Sequence, residues 1–175
     1  MKRITYIFLL AGIFLLKSCG GSKASKIATT PTTSKPTSST SSNNEPKQAN
    51  DVVKIARSFI GTKYKYGGIT RKGIDCSGLA YNVYKEIGIT LPRTSSAQSS
   101  IGKRVYIGEV VKGDLIFFGA EPGNKRITHI GIVSYSKNGH IKMIHASTSK
   151  GVREDTVDKQ YWRQRYIRAS RPLAK

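Results

Sequence analysis

From Gly20 to about Asn50 the chain offers almost nothing to bury: it is Ser, Thr, Pro, Lys and Asn with scarcely an apolar side chain. Such a stretch cannot offset its ordering entropy by burial, so it is expected to stay disordered. That break confines any packed core to the residues after it. The 175 residues therefore divide into 1–18, 19–50 and 51–175. The last segment is long enough for one hydrophobic core. No internal repeat interrupts it.

The first segment has its own logic. Lys2 and Arg3 precede an almost unbroken apolar run from Ile4 to Leu16. The run is shorter than the ~20 residues a spanning helix needs and has the layout of a secretion signal. It ends in Leu16-Lys17-Ser18-Cys19-Gly20, which resembles a bacterial lipobox, although Lys17 stands where a small or apolar residue is commoner. The resemblance implies cleavage before Cys19 and lipid on Cys19. The domain would then be anchored to a bacterial membrane, in the periplasm or outside the cell. A plain cleaved signal and an uncleaved anchor are the alternatives. A flexible tether of about thirty residues spans roughly 30 Å, which lets an anchored domain search its surroundings.

The chain has two cysteines. With Cys19 lipidated, Cys76 has no disulfide partner in the chain. A free thiol in an oxidising compartment is a hazard, more easily understood as a reactive group than as packing. A buried inert cysteine is the bland alternative. The net charge is +20. In a cytoplasmic protein that charge would raise nucleic acid as a partner. The secretion signal argues against it, as does the lack of basic residues interleaved with stacking aromatics. An anionic polymer of the cell envelope fits better. Solubility alone is the bland explanation.

Within 51–175 the patterning changes midway. Asn50 or Asp51 can cap a helix with Val52, Ile55, Ala56, Phe59 and Ile60 on one face, ended by Gly61. A second helix is expected from Cys76 to Glu86, packing Leu79, Val83 and Ile87 and stopped by Gly88. Leu91-Pro92-Arg93-Thr94 opens a short third. Strand candidates follow at Val105–Val111, Leu115–Phe118, Ile127–Tyr135, His140–Ala146 and Tyr166–Ser170. Asn138-Gly139 makes a hairpin turn, because both residues tolerate positive φ. Helices followed by an antiparallel sheet give an α+β fold.

The chemistry gathers around Asp75-Cys76-Ser77-Gly78. Cys76 lies where a glycine-rich loop becomes a helix. Unpaired N–H groups and the helix dipole there are expected to lower the thiol pKa. The same N–H groups can receive an oxyanion. A thiol also gains from a neighbouring base. The domain offers His129, His140 and His145. Counting back from the hairpin turn places 129 near 146, so His129 and His145 come together and one can orient the other. His140 sits by the turn and is expected to face solvent. No second cysteine or carboxylate cluster completes a tetrahedral set with Cys76, His129 and His145, so no metal or other cofactor is expected.

Gly67-Gly68, Asp75-Cys76-Ser77-Gly78, Leu91-Pro92-Arg93, Gly113-Asp114-Leu115, His129-Ile130-Gly131-Ile132-Val133 and His145-Ala146-Ser147 occur in that order. Together they resemble the NlpC family of the p-sixty superfamily, over about 51–172. The resemblance implies a papain-like fold with N-terminal helices packed on an antiparallel sheet. It implies Cys76 as nucleophile, His129 as base and His145 as its orienting residue. Tyr64 would assist the oxyanion, Asp75 and Ser77 would contact the substrate, and Arg93 would border the groove. Tyr64 as packing, Asp75 as a helix cap, Ser77 as a first-turn polar residue and His145 as a core histidine are the structural alternatives. Tyr66, Tyr81, Tyr84, Tyr161 and Trp162 read as core or groove wall. The implied activity is hydrolysis of peptidoglycan stem peptides by a monomer, at a D-Glu–diaminopimelate or D-Ala–diaminopimelate bond. An acyl transferase and a non-catalytic wall-binding lipoprotein are the rivals.

Overall fold

The computed structural model describes residues 44–173. The signal, Cys19 and most of the expected tether lie outside the described residues. In chain order the elements are α1 (Asn44–Arg57), β1 (Ile69–Thr70), β2 (Gly73–Ile74), α2 (Cys76–Glu86), α3 (Ser95–Gln98) and β3 (Lys103–Val105). A 3-10 turn at Ile107–Glu109 follows. Then come β4 (Leu115–Gly119), β5 (Ile127–Lys137), β6 (His140–Ser147), β7 (Gly151–Thr156), α4 (Gln160–Arg163) and β8 (Tyr166–Arg171).

The main sheet has the order β3-β8-β4-β5-β6-β7, with every neighbouring pair antiparallel. One face carries Leu115, Phe117, Ile130, Ile132 and Ile144 against Val52 and Ala56 of α1 and Leu79 and Val83 of α2. The other carries Ile116, Phe118, Val133, Met143 and Ala169 with Trp162 of α4. Each such side chain, taken fully out of water, contributes about 1.5–3 kcal/mol. Both faces of the central strand are therefore covered, which explains the unbroken apolar run of β4.

Several sequence expectations need correction. The first helix starts upstream of Asn50 and Asp51, which lie within it and do not cap it. Ala49 packs on the core, so the helix gains by extending over residues whose composition assigned them to the tether. The folded part accordingly begins before residue 51. Ile60 lies beyond the helix and is exposed. The strand expected over Val105–Val111 is replaced by the short β3 and the 3-10 turn. Only Val105 and Val110 of its apolar residues are buried, while Tyr106, Ile107 and Val111 face water. Strand β7 was not among the sequence candidates.

The hairpin of β5 and β6 turns through Asn138 at φ 50° and Gly139 at φ 78°. Its register then slips at a bulge between Val133 and Tyr135. Lys137 pairs with His140 on the turn side, whereas Ile132 pairs with Ile144 beyond the bulge. Extending that second register sets His145 beside Gly131, two residues from His129 and on the same face. Without the extra residue His145 would lie on the opposite face from His129, since side chains alternate along a strand. The bulge thus aligns the two imidazoles.

Candidate active site

Residues 67–75, which contain the short strands β1 and β2, form a glycine-rich segment leading into α2. Asp75 caps the helix by accepting the N–H of Gly78 at 2.6 Å. The same carboxylate accepts the Gly67 N–H at 2.9 Å and the Ser77 hydroxyl at 3.1 Å. Arg93 adds a bidentate pair, Nη1 to Oδ1 at 3.0 Å and Nη2 to Oδ2 at 2.6 Å. Arg93 also reaches the Ser77 hydroxyl at 2.9 Å and the Gly68 carbonyl at 3.3 Å. Burial pushes the Asp75 carboxyl up, but Arg93, the Gly78 N–H and the Ser77 hydroxyl outweigh it and hold it below its usual value. Five donors meet these two oxygens, so Asp75 ties loop, helix and Arg93 together. A substrate group could reach it only by sharing one of those bonds.

Two glycines, one in this segment and one in α2, are sterically required. A Cβ on Gly78 would collide with the Gly68 carbonyl, and one on Gly68 with the Gly73 carbonyl. Gln98 closes the far side, donating from Nε2 to the carbonyls of Ser77 at 2.9 Å and Pro92 at 2.7 Å. The start of α2 is therefore fixed from three directions before any substrate arrives.

Cys76 is the first residue of α2 and is 9% exposed. The backbone N–H groups of Ile130, Ser77 and Cys76 itself favour its thiolate. Ile130 lies on β5, the strand that also carries His129. Burial nevertheless dominates, and with the nearby Asp75 charge it pushes the thiol up to about 11. The expectation of a lowered thiol pKa is corrected on this point. The helix start does supply N–H groups, but desolvation of the thiolate outweighs them.

His129 Nε2 lies 2.9 Å from His145 Nδ1, with the rings nearly perpendicular at 84°. Burial and the neighbouring His145 charge hold His129 well below its usual value. His145 is also held down by burial, against an upward pull from Asp155. Trp162 brackets both rings. It stacks on His129 at 5.4 Å and 23° and meets His145 edge-on at 5.0 Å. His140 is exposed, as expected, and pairs with Asp158 at 3.0 Å.

Cys76 and His129 line two different cavities. One cavity of about 720 Å³ brings together Tyr64, Asp75, Cys76, Ser77 and Arg93, with Arg126 on its rim. A second, of about 530 Å³, is lined by His129, His145 and Trp162 together with Lys150 and Lys159. Thr128 borders both. The half-buried Tyr64, which lines the same cavity as Cys76, has its hydroxyl raised by burial, then by the Cys76 and Asp75 charges. Of the other aromatics, Tyr84 is fully buried, Tyr66 is 89% exposed on the rim and Tyr161 is exposed. Sequence reasoning left out Asp155 and placed Trp162 no more closely than core or wall. Asp155 lies on the strand the sequence did not announce. Trp162 was the chain's one tryptophan, and no spacing linked it to the histidines.

The arrangement is that of a papain-like α+β protein, with a thiol at the start of a central helix and an imidazole pair on the sheet. The chain belongs to the NlpC/P60 family, whose model matches residues 61–171. The "Probable endopeptidase NlpC" of Escherichia coli K12 is 40% identical over 116 residues, covering 66% of this chain and 72% of that protein. The "Murein DD-endopeptidase MepS/Murein LD-carboxypeptidase" of the same strain is 38% identical over 116 residues, covering 66% of this chain but 58% of that protein. A crystal structure of an NlpC/P60 family protein from Bacillus cereus ATCC 10987 superposes with a TM-score of 0.65 at 33% identity. That match covers 71% of this chain and 40% of the other.

Proposed function

We propose that this protein is a cysteine endopeptidase that cuts the stem peptides of peptidoglycan. The observation that carries the reading is a buried thiol at the start of α2, favoured as thiolate by the Ile130 N–H of β5, with His129 of the same strand bonded to His145. In the free protein both reacting groups are neutral, because burial disfavours thiolate and imidazolium alike. The thiol proton passes to His129 as sulfur bonds to the carbonyl carbon. The N–H groups of Cys76 and Ser77 and the Tyr64 hydroxyl receive the oxyanion. His129 returns the proton to the leaving amine, leaving an acyl-thioester on Cys76. Water then adds to the thioester, giving its proton to His129. The carboxylic acid departs and the thiol is restored.

The substrate class is supported by the names of the wall-acting relatives and by the charge of the groove. Arg93 and Arg126 on one side and Lys150 and Lys159 on the other suit a peptide with free carboxylates. The scissile bond is D-Glu–diaminopimelate or D-Ala–diaminopimelate. Digestion of purified sacculi, with new termini identified by mass, distinguishes them. Fragments with a new diaminopimelate amine support the reading. Protein retained on sacculi with no soluble fragment would contradict it and favour a wall-binding role.

The protein acts as a monomer, and the residues between Cys19 and α1 join the catalytic domain to a lipid on Cys19. That lipid holds it at a bacterial membrane with the domain in the periplasm or outside the cell. Cys19→Ala is expected to abolish palmitate labelling and move the protein to the soluble fraction. Unchanged labelling would contradict the anchor.

A further inference from the structure

Behind the imidazole pair stands a third group that the reaction just described leaves unused. His145 Nε2 lies 3.0 Å from Asp155 Oδ2, with the two side chains 3% and 15% exposed. The other carboxylate oxygen, Oδ1, is held by Arg153 Nη2 at 2.8 Å. Arg153 and Asp155 lie two residues apart on β7, and Arg153 is the cross-strand partner of His145. Four side chains on three adjacent strands are therefore linked in series.

We propose that Asp155 is a positioning residue that sets the tautomer of both histidines and thereby keeps His129 a proton acceptor toward Cys76. The inference rests on the reading of Cys76 and His129 given above. The argument is one of donors and acceptors. An ionised carboxylate only accepts, so the proton of His145 sits on Nε2. Its Nδ1 then accepts, and the atom 2.9 Å away, His129 Nε2, must carry a proton. His129 Nδ1 is left with the free lone pair. That is the ring nitrogen nearest the strand backbone, and in the proposed reaction it is the one that takes the Cys76 proton. Each link fixes the next, and only Asp155 fixes the first. The charged groups around Asp155 are Arg153 on its own strand, His145 on β6, His129 on β5, and Lys150 and Lys159 at the cavity wall.

Arginine offers donors alone, which gives the proposal a sharp test. In Asp155→Asn the amide oxygen must face Arg153, so the amide nitrogen faces His145. His145 must then accept at Nε2 and carry its proton on Nδ1. His129 is forced to accept at Nε2, and its own proton moves to Nδ1, where it can no longer take the thiol proton. A wrong tautomer costs about 10⁴ in kcat in a Ser-His-Asp triad. Here the altered group is one imidazole further away, and we expect kcat to fall at least about a hundredfold with KM changed less than about threefold.

The experiment combines muropeptide kinetics with ¹⁵N imidazole NMR on the whole protein. In the native chain His145 is expected as the Nε2–H tautomer, and in Asp155→Asn as Nδ1–H. Adding Arg153→Met frees the amide to turn its oxygen to His145, and at least about tenfold of the lost kcat should return. The proposal is overturned if native His145 carries its proton on Nδ1, or if Asp155→Asn keeps kcat within about threefold. It is equally overturned if Asp155→Asn loses activity without a change of tautomer. The NMR arm needs no substrate. Absence of peptidase activity in the native protein would sink the proposed function while leaving this proposal to be decided by the tautomers.

Discussion

The backbone N–H groups of Ile130, Ser77 and Cys76 favour the Cys76 thiolate, yet burial still raises the thiol to about 11. Burial opposes whichever form of a group is charged, so it raises a thiol and lowers an imidazole. At neutral pH the pair is thiol and imidazole, not thiolate and imidazolium. Alkylation of Cys76 by iodoacetamide should therefore be slow at pH 7 and rise continuously toward about pH 11. A rate already level at pH 6 would show a preformed ion pair instead. The acid side follows from His129, which burial holds low. The kcat/KM plateau should extend below the usual imidazole value of about 6.5 before it falls. Trp162 contributes at the same scale by stacking on His129. Trp162→Ala removes a large buried ring, and a loss of about 3 kcal/mol in urea unfolding is expected.

The segment from the glycine-rich loop into α2 is held by a single carboxylate. Arg93→Met leaves Asp75 accepting from Gly67, Ser77 and Gly78 but without its cation. A fully buried ion pair broken on one side loses about 3–5 kcal/mol. Arg93 keeps 37% of its side chain in water, so about 2 kcal/mol is expected by denaturant unfolding at pH 7. The sign with pH follows from the depressed Asp75 pKa. The stabilisation is present above the unfolded carboxyl value and lost as pH falls through the folded one. Native and Arg93→Met proteins should therefore converge in stability in acid. Gly78→Ala at the same junction drives a methyl into the Gly68 carbonyl. It should cost about 1–3 kcal/mol and reduce activity more than stability, since the loop it displaces lines the groove.

This scale also shows what the sequence could carry. The bounds of α2 were legible because Asp75 is a cap and Gly88 a stop, both local signals. The Asn138-Gly139 turn was legible for the same reason. Strand β7 was not, because Arg153, Glu154 and Asp155 lack an apolar alternation, although β7 pairs with β6 across a short connection. With β7 went Asp155. The bulge that aligns the histidines is equally silent in sequence, since no Gly or Pro marks Val133 to Tyr135.

At the scale of the molecule, the α+β class was readable from helical periodicity giving way to strand patterning. The sheet order was not, because β8 inserts between β3 and β4 from the far end of the chain. The net charge of +20 belongs to this scale too. Retention on sacculi should weaken as salt rises from 50 to 500 mM, because exposed charges are screened beyond about 10 Å at 0.1 M. The proposed reaction requires the Cys76 thiol at the start of α2 to reach the His129 imidazole on β5. Its most direct test is hydrolysis of a defined muropeptide by the native protein beside folded Cys76→Ala and His129→Ala variants. The native chain should release products of defined mass, and each variant should lose at least about a thousandfold in kcat/KM. Cleavage at the native rate by Cys76→Ala would contradict the account at its root.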